Sequence, residues 1–146
     1  MKEQQDSTRV LVVDDDILMR MLFSLFLRRC GVPADVVGSV QQAILRLAKT
    51  HYSLILVDGH LGDGTGSDVA TFARRDSYMA NVPIVAISSD SRNEHVQQLL
   101  AAGVNQFIKK PVTGDTIRHL LEHYSLIATA KAERASAQSV ATPDDV

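Results

Sequence analysis

Arg9-Val10-Leu11-Val12-Val13 runs directly into Asp14-Asp15-Asp16, and this abrupt change decides the fold. A short, β-branched, uninterrupted apolar run suits a strand buried on both faces, and the acidic triplet marks where its carboxyl end meets solvent. A helix is expected next, with Leu18, Met21, Leu22 and Leu25 as its buried stripe at i, i+3, i+4 and i+7, stopped by Gly31 in a left-handed conformation. The same beat then repeats. Ala34 to Val37 reads as a strand, and Ser39-Val40-Gln41-Gln42 as a capping box opening a helix that buries Val40, Ala43, Ile44 and Leu47. Ser53-Leu54-Ile55-Leu56-Val57 is a third strand ending in Asp58, after which a glycine-rich loop, Gly59 to Gly66, leads to a helix carrying Val69, Phe72 and Ala73. Pro83 introduces Ile84-Val85-Ala86-Ile87, ending in Ser88-Ser89-Asp90, and the helix that follows turns Val96, Leu99 and Leu100 inward until Gly103 stops it. Gln106-Phe107-Ile108 runs into Lys109-Lys110-Pro111, and a last helix begins near Thr113 with Ile117, Leu120, Leu121 and Tyr124 on one face.

Strands alternating with helices, five of each, specify an α/β domain: a doubly wound, five-stranded parallel sheet in a three-layer α/β/α sandwich, because right-handed crossovers place helices on both faces. The length of 146 residues, with 45% apolar, 22% charged and 5% aromatic residues, matches one globular domain with little left over. We expect a polar arm over 1–8, the domain over 9–127 and a flexible tail over 128–146. A net charge of -2 offers no general attraction to nucleic acid or an anionic membrane. No run approaches the about 18 apolar residues of a membrane span, and Met1 to Thr8 is polar where a signal peptide is apolar. The single cysteine, Cys30, fits a reducing cytoplasm and reads as a small hydrophobe near a helix end.

In doubly wound sheets, ligands bind beyond the carboxyl ends of the strands. The residues there are Asp14, Asp15 and Asp16 after the first strand, Asp58 after the third, Ser88 after the fourth and Lys110 after the fifth. Carboxylates crowded on one rim raise one another's pKa values unless a cation sits among them. Mg²⁺ suits, since it takes a few carboxylates and leaves positions for phosphate oxygens. Ser88 and Lys110 are then donors for an anion carried on one carboxylate. The chemistry this describes is phosphoryl transfer to an aspartate.

With these residues in place, the sequence resembles the receiver domains of two-component response regulators, the family of the chemotaxis response regulator, from about Arg9 to Tyr124. The resemblance rests on the acidic pair, the Asp after the third strand, the hydroxyl after the fourth and the Lys-Pro after the fifth. It implies a flavodoxin-like strand order 2-1-3-4-5. It further implies Asp58 as phosphoacceptor, with Asp15 as a direct Mg²⁺ ligand, Asp14 beside it through water and the His60 backbone carbonyl as another ligand. Ser88 is then the switch hydroxyl, Lys110 the partner of the phosphoryl group and Phe107 the switch aromatic. His60 and Asp90 hold positions that flank the phosphoryl group and influence the hydrolytic water. A cis Lys110–Pro111 bond is expected, as X-Pro carries a small cis penalty. The implied partners are a sensor histidine kinase or histidine phosphotransfer protein as donor and a downstream protein target. Direct nucleic-acid binding is not expected, given the short stretch after Tyr124, and as a self-phosphorylating, autodephosphorylating signalling domain the chain is expected to turn over no separate substrate.

Gly62 stands where the family has Pro and Thr65 where it has Asp, so the loop after Asp58 is expected to be more mobile; Val112 replaces a common Phe. Asp16 reads as a helix cap. His119-Leu120-Leu121-Glu122-His123 matches a zinc-protease pattern, but both histidines lie opposite the apolar face and point to solvent. His51 and His95 read as lone surface residues. Gly62 to Gly66 lacks the Lys of a P-loop. A haloacid-dehalogenase-like phosphatase would need Thr where Leu18 stands. Two alternatives stay open: a receiver cut from a hybrid kinase or phosphorelay, and a docking module that is never phosphorylated.

Overall fold

The alternation of buried side chains along each strand builds two cores, one on each face of a single sheet. The computed structural model describes residues 8–76 and 79–129. Its elements are β1 (Val10–Val13), α1 (Ile17–Arg29), β2 (Ala34–Val37), α2 (Val40–Lys49), β3 (Leu54–Val57), β4 (His60–Leu61), β5 (Gly64–Thr65), α3 (Gly66–Arg75), β6 (Ile84–Ser88), α4 (Asn93–Ala101), β7 (Gln106–Lys109) and α5 (Gly114–His123). The main sheet has five strands in the order β2-β1-β3-β6-β7, all parallel. Since β4 and β5 form a separate antiparallel hairpin, this is the flavodoxin-like order expected. Apart from Thr8, Ala128 and Thr129, the expected arm and tail lie outside the described residues.

Leu11, Val13, Ile55, Val57, Ile84 and Ala86 face a core completed by α2, α3 and α4. Their neighbours Val10, Val12, Leu54, Leu56, Val85 and Ile87 face the opposite core, closed by α1 and α5. Burying such a side chain contributes about 1.5–3 kcal/mol, so β1 and β3, buried at every position, anchor the domain. β1 gives way at Asp14, whose buried carboxylate is paired with the Asp16 N–H and Lys110 Nζ, as a buried charge must be.

Two helices differ from expectation. In α1, Phe23 and Leu27 are buried and Met19 and Phe26 pack beside them, whereas Leu18 and Met21 are 66% and 63% exposed. Leu22 and Leu25 are exposed as well. The helix is apolar on nearly every side, and 3.6-residue periodicity cannot choose between its two stripes. In α4 the buried pair is His95 and Leu99, while Val96 is half-buried and Leu100 exposed. The remaining stripes hold: Val40, Ala43 and Leu47 in α2, Val69 and Ala73 in α3, and Ile117, Leu120 and Leu121 in α5 are buried. Ile44 and Phe72 pack against their core.

Helix ends follow local chemistry. Asp16 caps α1 by accepting from the Leu18 N–H, and Gly31 leaves it at φ +73°, a conformation glycine adopts without a Cβ penalty. Ser39 caps α2 through the Gln42 N–H, but Gln42 Oε1 accepts from Gly38 and not from the cap residue. Thr113 caps α5. The Lys110–Pro111 bond is cis, as expected.

Candidate functional site

Parallel strands deliver Asp14, Asp58, Ser88 and Lys110 to the same sheet edge, because β1, β3, β6 and β7 are neighbours that end together. Asp14 is buried, Asp58 half-buried and Asp15 exposed. Their carboxylates bring oxygens within 4.8 Å of one another. Lys110 Nζ donates to Asp14 Oδ2 at 2.9 Å and to Asp58 Oδ2 at 3.0 Å. The Asp16 N–H donates to Asp14 Oδ1 at 2.9 Å, and the His60 N–H to Asp58 Oδ1 at 3.3 Å.

Burial pushes the Asp14 carboxyl up; the Asp16 N–H and Lys110 oppose this, and the nearby Asp58 charge adds to it. For Lys110, burial alone would lower the ammonium pKa, but the bonds to Asp14 and Asp58 outweigh it and hold it above its usual value. The lysine is therefore a fixed positive charge between two carboxylates.

Ser88 ends β6 with its side chain buried, and Ser88 Oγ accepts from the Asp90 N–H at 3.2 Å. Phe107 is half-buried against the α2–α3–α4 core, beside Ala86 in the β6–β7 register. His60 Nε2 donates to Asp90 Oδ2 at 2.7 Å, so the two positions flanking the site form one unit. Arg92 joins it through Nε to Asp90 Oδ1 and Nη2 to Asp90 Oδ2. The Arg92 bond, then the His60 bond, holds the Asp90 carboxyl far below the usual range.

The loop after Asp58, expected to be more mobile, is a tethered hairpin. His60 pairs with Thr65 and Leu61 with Gly64, while Asp63 accepts from the Val40 and Gln41 N–H groups at the start of α2, at 2.8 and 3.0 Å. An acidic side chain there complements the helix dipole. Thr65, in place of the family's Asp, caps α3 in a capping box with Asp68.

His95 is the residue the sequence reading misplaced. It is 6% exposed, and its ring stacks on His60 with centroids 4.2 Å apart and planes 11° apart. Gly59 makes room for it, since a Cβ there would strike His95 Nε2 and Ser88 Oγ. Burial, then the His60 charge, lowers its pKa. The signal was present in the sequence, as His95 stands four residues before buried Leu99 and shares its helix face. His119 and His123 are exposed, as expected.

Comparison with known proteins agrees with this geometry. The family model described as the response regulator receiver domain matches residues 10–122. A two-component response regulator of rice (Oryza sativa subsp. japonica) is 36% identical over 107 residues, spanning 73% of this chain and 88% of the rice protein. The transcription factor SKN7 of Saccharomyces cerevisiae is 32% identical over 115 residues, 79% of this chain but 18% of the yeast protein. Among solved structures, the receiver domain of a Pseudomonas aeruginosa sensor histidine kinase, with magnesium coordinated in its active-site cleft, shares the fold. It has a TM-score of 0.75 at 23% identity, over 81% of this chain and 97% of that one. With the acidic pair, the aspartate, the hydroxyl and the lysine on one rim and a family match over nearly all of the described sheet and helices, the chain belongs to the response regulator receiver domain family.

Proposed function

We propose that this chain accepts a phosphoryl group on Asp58 from a phosphohistidine protein and signals through protein contacts. The observation that carries the reading is Lys110 Nζ bridging Asp14 and Asp58 at the mouth of the carboxylate cluster. Only hard oxygen donors are gathered there, a set that fits Mg²⁺, the ion in the cleft of the Pseudomonas relative. Held by Asp14, Asp15, Asp58 and the His60 carbonyl, Mg²⁺ would supply positive charge to the phosphoryl oxygens.

Asp58 contributes the nucleophile. As its carboxylate oxygen bonds to phosphorus, the P–N bond of the donor breaks and the imidazole leaves with the bonding pair. Lys110 neutralises charge on the transferred group, and the Ser88 hydroxyl gives up its contact with the Asp90 N–H to meet a phosphoryl oxygen. Phe107, packed on the same core as α4, follows that movement, so a two-state equilibrium of α4 and β7 shifts. Hydrolysis by water releases inorganic phosphate and restores Asp58, leaving no other substrate to turn over.

The donor docks on α1. Ile17, Leu18 and Met21 are 62%, 66% and 63% exposed, and the helix begins at the Asp16 cap beside the acidic pair. A helical, apolar surface around the phosphohistidine can cover this face while the phosphate reaches Asp58. No helix among the described residues is long and apolar enough to cross a membrane.

Incubation with acetyl phosphate and Mg²⁺, read by intact mass, tests the assignment. We expect one phosphoryl adduct on the wild type, none on Asp58→Asn and little in excess chelator. An adduct persisting in Asp58→Asn would sink the reading, and no adduct on the wild type from either acetyl phosphate or a phosphohistidine protein would favour the unphosphorylated docking module.

A further inference from the structure

Apart from the Asp14, Asp15 and Asp58 cluster stands a second group of different chemistry. His60 in β4, Asp90 after β6 and His95 in the first turn of α4 bring donor atoms within 4.8 Å of one another. His95 Nε2 is buried with no hydrogen-bond partner among the described residues. Buried polar atoms are rarely left unpaired, and a bound ion is one of the few ways such an atom is satisfied. Its place is specifically provided, because any side chain at Gly59 would occupy it.

We propose that His60, Asp90 and His95 form a site for a borderline divalent transition ion such as Zn²⁺ or Ni²⁺, separate from the oxygen cluster of Asp14, Asp15 and Asp58. Two imidazoles and one carboxylate select such ions, whereas carboxylates alone select Mg²⁺. Imidazole binds a metal through the lone pair in its ring plane. The two rings, stacked at 11°, cannot both meet one ion in that pose. His95 is held by its burial, while the exposed His60 is free to turn. Binding therefore breaks the stack, replaces the His60–Asp90 hydrogen bond and displaces Arg92 Nη2 from Asp90 Oδ2. Arg92 Nε remains on Asp90 Oδ1 at 2.9 Å and supports the ligand from behind. The bound ion ties the hairpin after Asp58 to the start of α4, and these segments border the phosphoacceptor.

Zn²⁺ titrated against a chromophoric chelator, with excess Mg²⁺ present and the full chain in use, tests the site. We expect the wild type and Asp14→Asn to take up one equivalent. His95→Gln and Asp90→Asn should bind on the order of tenfold more weakly or worse. The double variant His119→Gln, His123→Gln, which removes the exposed i, i+4 pair of α5, should bind as the wild type does. Circular dichroism checks that each variant is folded, and Asp90→Asn, in a loop, keeps the test readable should His95→Gln unfold. No Zn²⁺ uptake by the wild type, uptake unchanged in Asp90→Asn, or uptake lost only in the α5 double variant would overturn the proposal.

Discussion

At the scale of single residues, the proposed phosphoryl lifetime turns on the His60–Asp90 pair. The sequence placed each two residues past a site residue; the structure joins them at 2.7 Å, so under the proposed function they would act on the hydrolytic water as one unit. In buffer freed of transition metals, His60→Ala and Asp90→Ala should each change the dephosphorylation rate several-fold. The double variant should add little, as expected for coupled neighbours. Mg²⁺ affinity should stay nearly unchanged in His60→Ala, because the implied contact is a backbone carbonyl. Decay of the phosphorylated form after donor removal, beside a Mg²⁺ titration, measures both. Unchanged decay in both single variants would show that the pair does not govern lifetime.

Among the elements, α1 and the β4–β5 hairpin differ most from what their sequences suggest. The apolar stripe left outside on α1 adds little to the core, so Leu18→Asp and Met21→Asp should leave stability within about 0.5 kcal/mol of wild type. They should slow phosphotransfer from a histidine phosphotransfer protein on the order of tenfold and leave labelling by acetyl phosphate intact. Equal slowing with both donors would place the defect in the pocket instead. In the hairpin, the N–H groups of Val40 and then Gln41 hold the Asp63 carboxyl below its usual pKa. A carboxyl depressed in the folded state stabilises the fold at pH values above its unfolded pKa, and that contribution fades as pH falls through the folded value. The thermal midpoint of Asp63→Ala should therefore lie below that of wild type near neutral pH, with the gap closing in acid. A gap independent of pH would mean that the ionised carboxylate is not what fastens the hairpin to α2.

Across the whole molecule, Arg74 ties α3 to the segments that lead into β6 and β7. From the last turn of α3 its guanidinium donates to Gly103 O at 2.7 Å, Val82 O at 2.6 Å and Asn105 Oδ1 at 2.8 Å, with further bonds to Met79 O and Ala80 O. Asn105 Oδ1 also accepts from the Ile84 N–H, so one side chain holds the entry to β6 against the entry to β7. Arg74→Ala leaves those carbonyls without their donor and should cost about 2–3 kcal/mol. In urea this appears as a lower midpoint with an unchanged slope. A midpoint equal to wild type would show that water replaces the guanidinium without loss.

The sequence by itself determined the strand runs and their acidic, hydroxyl and lysine ends, and so the parallel sheet and the rim on which those ends meet; the strand order came from the family resemblance those residues carry. These were legible because each strand is buried on both faces and its composition changes abruptly where it meets solvent. Local chemistry likewise sufficed for the Asp16 and Thr113 caps and for Gly31. Only the tertiary structure decided which of two apolar stripes on α1 meets the sheet, since a helix apolar on nearly all sides carries no preference in its own periodicity. It alone brought His95 beneath His60, tied Asp63 to α2 and gathered carbonyls around Arg74. Apart from Met79, Ala80 and Val82 around Arg74, the partners are distant in sequence, and a polar side chain has no periodic signature that announces the group it will meet.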